Sequence, residues 1–515
     1  MLHQPQRLRA TLLVGLFLVS IAAGLWIVRP FVTASLGRDA AAPVIHFERI
    51  AGGERLETYL PITPKPLITL INGGVYAIAR DWRPVAWVEI MAYALCAVAG
   101  AALAMRVGSL ASAAFVATAY LISPVLLREL AFLHAVPWAL LAVLVAGLAV
   151  TGDRPRYWLA GIALMAGTLA RLETILVVGL ALAVLILLEI RARVSGGSRP
   201  PTAAYWVLLG FLAIPVAAVH DLLLTGDPLH WTKVAQINSE VAGTAQGPRW
   251  VIAYIGNHLL SIGPLVGLAV IGGLHLIQRR QWSLVVGLLA IIPGTAAFLI
   301  FMAARGVFFS PRYLSMIDLG LIFAAGISLA AIDVPATRRW LNRHVHDRLA
   351  LGAVAVGIGV LAAIAFAPVG VVDPDVRQAI TKQAKLLRNE HRAVEVILPE
   401  LASTPRWWDP AADESADPKL LVPARVREQM AVDLDLALNQ IVRTTEARID
   451  PAAGRLVPGQ IVYHDRLDDP EDPSYEALEI DRPTEVGGVR LVPLLADPER
   501  GIWVISVEAA TGLGR

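Results

Sequence analysis

Apolar runs of about 17–25 residues, long enough to cross a hydrocarbon layer of roughly 30 Å, recur through residues 1–370 of this chain. About eleven stand near 10–29, 84–105, 109–125, 134–150, 157–171, 174–190, 204–224, 257–277, 283–303, 313–332 and 349–370. A backbone inside lipid must satisfy its own hydrogen bonds, so each run is expected to be a helix. Composition agrees: 17% of residues are charged, against about 25% in a soluble domain. The expected fold class is an α-helical polytopic membrane protein with a C-terminal soluble α/β or α+β domain.

Arginine sorts to one side of the runs. With the basic N-terminus (Arg7, Arg9) in the cytoplasm, alternation places five further loops there. They carry Arg106; Arg154 and Arg156; Arg191, Arg193 and Arg199; Arg279 and Arg280; and Arg338, Arg339, Arg343 and Arg348. That is the bias of the positive-inside rule. The opposite, outer side receives loop 30–83, loop 225–256, the short loop 304–312 and residues 371–515. The first run has a core of about twenty residues, long for the apolar region of a cleaved signal, and reads as a retained helix. Composition rich in Ala, Arg and Leu points to a bacterium of high genomic GC content and to its plasma (inner) membrane.

Charge divides the chain into two expected domains. Residues 1–370 hold 27 basic and 16 acidic side chains, and residues 371–515 hold 17 and 26. An acidic tail argues against nucleic acid as a partner. The tail opens with VRQAITKQAKLLRNEHRAVEVILPEL, whose apolar spacing predicts a helix leading into a strand at VEVIL. KLLVP, IVYHD, VRLVPLL and IWVISVE then alternate with loops rich in Pro, Asp and Gly, and no catalytic motif stands among them. Cys96 is the single cysteine, which excludes an intramolecular disulfide and a cysteine cluster for zinc.

Ionisable residues inside membrane runs are costly and mark function by default. Arg171 and Glu173 interrupt LARLETIL. Two readings stand open there: a helix break that offers a guanidinium to an anion, or a snorkelling arginine with a structural carboxylate. His220 and Asp221 close the seventh run and read as an interfacial pair. Arg305 and Arg312 bracket GVFFSPRY, and with Lys65 and Lys233 they would form an electropositive site suited to a phosphate or pyrophosphate. In the first outer loop, HFERIAGGERLETYL predicts an amphipathic segment at the membrane surface. TPKP predicts an extended hinge, and PLITLINGGVYAIA is too short to span and predicts a second interfacial helix. Together they would form a lid over the outer side, with Asp39 at the membrane boundary beside it.

The order of these features resembles the GT-C superfamily of polytopic glycosyltransferases, with bacterial arabinosyl- and mannosyltransferase-like members as its pattern. The matching elements are an acidic residue after the first helix (Asp39) and an amphipathic loop leading into Gly53 to Leu67. A helix break follows at Arg171, Leu172 and Glu173, then the outer loop TGDPLHWTK from Thr225 to Lys233, and PRYL from Pro311 to Leu314 at the start of a late helix. The likeness covers most of residues 10–335; the tail matches by position alone. Three departures stand out. Relatives carry paired acids where this chain has Arg38-Asp39-Ala40, a proline where it has Leu172, and Pro-Asn where it has His230-Trp231.

The resemblance implies an inverting transfer of a sugar from a polyprenyl-phosphate donor to a glycan, lipid or protein acceptor of the cell envelope. It implies Asp39 as general base, with Glu48 in reserve. Lys65, Arg171, Lys233 and Arg312 are implied as donor-phosphate ligands, supported by Glu173, Asp227, His230 and Tyr313. No cofactor beyond the lipid-linked sugar is implied, and the single carboxylate at Asp39 favours a reaction independent of a divalent metal. The implied partners are the donor lipid, the acceptor and the bilayer. Two other classes stay open: a non-catalytic relative that binds a lipid-linked glycan or scaffolds an envelope complex, and a transporter or flippase that would use Glu89 and Asp318.

Overall fold

The computed structural model describes residues 4–29, 38–53, 65–151, 154–195, 199–230, 233, 247–306, 311–331, 374–401, 420–423, 430, 434, 441–443, 456–466, 478–486 and 488–510. The expected run at 349–370, the boundary near 370 between the two expected domains, and residues 54–64 of the expected lid lie outside them.

The helical body begins with α1 (Gln4–Val28), followed by α2 (Arg38–Gly52) and α3 (Pro66–Ala79). The chain then forms α4 (Arg83–Val107), α5 (Leu110–Ile122), α6 (Pro124–Ala131), α7 (Val136–Val150), α8 (Tyr157–Ala170) and α9 (Ile175–Ser195). Next come α10 (Thr202–Thr225), α11 (Pro248–Ser261), α12 (Gly263–Gln278), α13 (Trp282–Ala304) and α14 (Ser315–Ala331). Among the described residues five helices are long and apolar enough to cross a membrane, or seven if each bent pair counts as one span. The chain is a multi-pass membrane protein.

Two expected runs are not straight helices. The run at 109–125 bends by 55° between α5 and α6, where Ser123 is extended, its Oγ accepts from Leu126 N–H and Pro124 opens the next helix. The run at 257–277 bends by 86° between α11 and α12, before Pro264. Proline at the first turn starts a helix well but cannot continue the preceding one. Asp318 of α14 ties the two breaks together: its carboxylate lies 2.7 Å from His258 Nε2 of α11 and accepts from Ser123 Oγ at 3.5 Å. Glycine permits the closest helix crossing. A Cβ on Gly272 of α12 would lie 1.7 Å from the Ala324 carbonyl oxygen of α14.

The first outer-loop elements pack as a unit. Helix α2 is amphipathic, burying Ala40, Ala41, Val44 and Ile45. Helix α3 starts at Pro66 after the non-helical Lys65 (φ −129°, ψ 87°) and has a π-helical turn at Thr69–Gly73. Such turns insert one extra residue and recur at functional sites. Here the turn buries Thr69 and Asn72 and brings Gly73 against Phe47 of α2, where an added Cβ would lie 2.0 Å from the Phe47 Cβ. Helix α3 ends at Arg80 in the left-handed region.

The tail consists of α15 (Pro374–Glu400) and a six-stranded sheet in the order β2-β1-β3-β6-β5-β4. The strands are β1 (Leu420–Val422), β2 (Ile441–Arg443), β3 (Ile461–Asp465), β4 (Thr484–Val486), β5 (Val489–Asp497) and β6 (Ile502–Ala509). β1 runs parallel to β2 and β3, and the other pairs are antiparallel. All four expected apolar runs are strands. VEVIL is not: it continues α15, where Val394 and Ile397 share one face with the buried Ala393 and pack on the tail core. Helical spacing to upstream residues overrode the local β-branched content. Helix α15 also contacts α6, so the tail rests on the segment just after the 55° bend.

Candidate functional site

Ionisable residues gather at the end of the helical body that carries α2 and α3. Helix α3 packs against α8 and α10, α2 packs against α10, and α6 packs against the 3-10 turn Pro311–Leu314 that opens α14. Helix breaks do the positioning. Arg171 stands between α8 and α9 in extended conformation (φ −152°, ψ 125°), which turns its side chain out of the helical row. Its Nη2 donates to Glu173 Oε1 at 2.7 Å, and both side chains are largely buried. The Arg171 guanidinium lies over the Tyr313 ring, 5.3 Å from its centroid, and the Arg312 guanidinium reaches the same ring at 5.7 Å. Two cations from opposite halves of the sequence thus share one aromatic ring.

Beside them lies a pair that sequence reading missed. Glu129 of α6 is fully buried, and its Oε2 lies 2.7 Å from His134 Nδ1. The His134 ring stacks on Phe132 at 5.5 Å. Arg171 and Arg312 are near enough to act electrostatically on Glu129. The only signal in the sequence was RELAFLH, three residues beyond Ser123-Pro124, a charged cluster that looks like an ordinary loop between two apolar runs.

On the other flank, Lys65 acts electrostatically on both His46 and Glu89. Asn72 Nδ2, from the π-helical turn, donates to Glu89 Oε1 at 3.1 Å. The His46 ring meets His220 edge-on at 6.4 Å, and His220 Nδ1 lies 3.3 Å from Asp221 Oδ1. Burial, followed by the charges of His220, Lys65 and His230, pushes the His46 imidazole well below its usual pKa, so it is neutral at pH 7.

The expected site residues divide into groups. The structure brings Arg171, Glu173, Arg312 and Tyr313 into one cluster and places Lys65 near His46 and Glu89. Asp39 stands in the first turn of α2, with its side chain outside the described residues. Glu48 pairs with Arg80 at 3.3 Å. Asp227 and Lys233 pair with each other at 2.5 Å, with Lys233 mostly exposed. The Lys233 hydrogen bond and then the Leu229 N–H hold the Asp227 carboxyl below its usual range. His230 donates its backbone N–H to the Asp227 carbonyl at 3.1 Å in the same turn. Among the described residues, no three His, Cys, Asp or Glu side chains are arranged to hold a metal ion.

Comparison of the sequence with protein-family models and with curated proteins gives no match. Solved structures do match. The crystal structure of ArnT from Cupriavidus metallidurans bound to undecaprenyl phosphate aligns with a TM-score of 0.52 at 14% identity, covering 98% of this chain and 99% of that one. The same protein in its apo state gives 0.51 at 14% identity, over 96% and 98%. The apo Archaeoglobus fulgidus oligosaccharyltransferase gives 0.49 at 12% identity, over 83% of this chain and 64% of that one. From its end-to-end likeness to ArnT and its own helix order, the chain has the fold of a GT-C-like membrane glycosyltransferase.

Proposed function

We propose that this protein transfers a sugar from a polyprenyl-phosphate donor to a glycan, lipid or protein acceptor of the bacterial cell envelope. The observation that carries the reading is the meeting of Arg171 and Arg312 on Tyr313 at a helix break. Their charges act on each other, and an anion between them would relieve that repulsion while accepting directed hydrogen bonds. ArnT, which shares the fold, binds undecaprenyl phosphate in its crystal structure. A lipid phosphate of that class is the anion this site would take.

In the reaction, an acceptor hydroxyl oxygen attacks the anomeric carbon. The bond from that carbon to the phosphate oxygen breaks, and the electron pair leaves with polyprenyl phosphate, so a single displacement inverts the configuration. Arg171, Arg312 and Lys65 meet the charge that develops on the leaving phosphate. Asp39 takes the proton of the acceptor hydroxyl, with Glu48 in reserve. Glu173 holds the Arg171 guanidinium, Tyr313 orients both arginines, and Asp227, His230 and Lys233 brace the outer loop at the rim. No cofactor enters these steps. The N-terminus faces the cytoplasm, and the site and tail face the outer side.

Binding of undecaprenyl phosphate to the purified protein tests the reading. Arg312→Gln is expected to weaken it about tenfold or more, the usual loss for a hydrogen bond to a charged group. The pair Arg171→Ala with Glu173→Ala removes both buried charges together and is expected to do the same. Unchanged affinity in both variants would contradict the assignment.

A further inference from the structure

The structure leaves buried hydrogen-bonding capacity unused at one place beside the proposed phosphate site. Asn72 gives its Nδ2 to Glu89 Oε1, yet Asn72 Oδ1 and Glu89 Oε2 are buried without a hydrogen-bond partner among the described residues. The buried Trp138 indole N–H is directed at the same carboxylate and acts on it as a loose hydrogen-bond donor, short of ordinary hydrogen-bond geometry. His134 also acts on Glu89. On its other side His134 holds Glu129 Oε2, and Glu129 Oε1 is again left over. Asn72, Glu89 and Glu129 are each at most 1% exposed.

Among the described residues, two acceptors, Asn72 Oδ1 and Glu129 Oε1, therefore lie unused around one imidazole, and the Trp138–Glu89 pair is only loosely made. A folded protein rarely leaves such groups unpaired, because each forfeits about 1–3 kcal/mol without a partner. These elements are not loosely built. Asn72 is set by the π-helical turn that Gly73 locks against Phe47, Glu89 sits on α4, and Trp138 opens α7.

We propose that Asn72, Glu89 and Trp138, with Glu129 across His134, form the subsite for the sugar ring of the donor. The subsite takes a sugar with several free hydroxyls and no carboxylate. Hydroxyl groups donate to Asn72 Oδ1 and Glu129 Oε1, and a sugar hydroxyl inserts between the Trp138 N–H and the Glu89 carboxylate, accepting from one and donating to the other. The indole plane supplies the apolar wall that sugar C–H groups need. A uronic acid would set its carboxylate against Glu129 and be rejected. This assignment rests on the donor reading above, since it places the sugar next to the phosphate ligands.

The test compares three probes on the purified protein: undecaprenyl phosphate, the same lipid carrying a neutral hexose or pentose, and the lipid carrying glucuronic acid. A neutral sugar is expected to raise affinity over the bare lipid by about tenfold, and glucuronic acid to give no gain. Glu89→Gln and Trp138→Phe are each expected to remove most of that gain. Their affinity for bare undecaprenyl phosphate should stay unchanged, which also shows that they fold. If the bare lipid fails to bind wild type, the donor reading itself falls. If it binds but no neutral sugar adds affinity, or both variants keep the full gain, the sugar subsite is wrong and the donor reading stands.

Discussion

The tail and the α2–α3 end of the membrane body both bury polar groups, but they treat them differently. In the tail, Asp465 at the end of β3 is fully buried and accepts from Asn389 Nδ2 and Tyr463 Oη, each at 3.0 Å. Arg392 of α15 donates to Asp497 of β5 at 2.8 Å. These bonds join helix to sheet, and their partners lie within the domain. At the body's end, Asn72 Oδ1 and Glu129 Oε1 are buried without hydrogen-bond partners among the described residues, and Trp138 meets Glu89 only loosely. A completed network stabilises a fold, and the incomplete one beside Arg171 and Arg312 is the place where the proposed donor sugar would supply the missing hydrogen bonds.

The largest expected contrast comes from Asp465→Ala. It leaves the Asn389 amide and the Tyr463 hydroxyl without this buried acceptor and is expected to destabilise the tail by about 2–4 kcal/mol. Hydrogen exchange along β3 and β6 would read the loss, while affinity for undecaprenyl phosphate should hold. Equal loosening of α3 and α4 would erase the distinction between the two regions.

Glu48→Gln is a smaller perturbation. Its pair with the half-exposed Arg80 is worth about 0–1 kcal/mol, and with Asp39 as base, turnover should stay within about twofold of wild type. A hundredfold loss of turnover would move the base from Asp39 to Glu48.

The smallest effect is one of pH. The Arg466 hydrogen bonds hold the Glu479 carboxyl below its usual value, with His464 beside it adding to the effect. A folded pKa below the unfolded one contributes stability that is full above the unfolded value and is lost as pH falls through the folded one. Tail stability should therefore drop slightly below the ordinary glutamate range, and Arg466→Gln should remove that part of the drop. A wild-type acid transition unchanged by Arg466→Gln would rule the pair out as its source.

Much of the architecture was legible because its signals are periodic and collective. Apolar length gave the multi-pass helical body, although among the described residues five helices, or seven with each bent pair as one, are long and apolar enough to span where about eleven runs were expected, and the turn-bounded apolar runs gave β1, β3, β5 and β6. Bends were harder to read, since Ser123-Pro124 and Gly263-Pro264 sit inside runs whose hydropathy never falters. VEVIL misled because five residues carry β-branched content but not the helical phase set by Leu386 and Ala393. At the site, Arg171 and Arg312 drew attention as charges in apolar surroundings, but only the fold shows that one tyrosine joins them. Glu129 and His134 hid in an apparent loop. Asn72 carried no signal, because its role depends on a π-helical turn that spacing does not encode.

The central claim is sugar transfer, and it is tested most directly with radiolabelled sugars on undecaprenyl phosphate, the purified protein and acceptor-rich membrane extract. The account predicts label transfer by wild type. In Asp39→Asn it predicts a fall of about a hundredfold or more, the usual contribution of a general base, with donor-lipid binding intact. Donor binding without any transfer by wild type would contradict it and point to a protein that holds a lipid-linked glycan without acting on it.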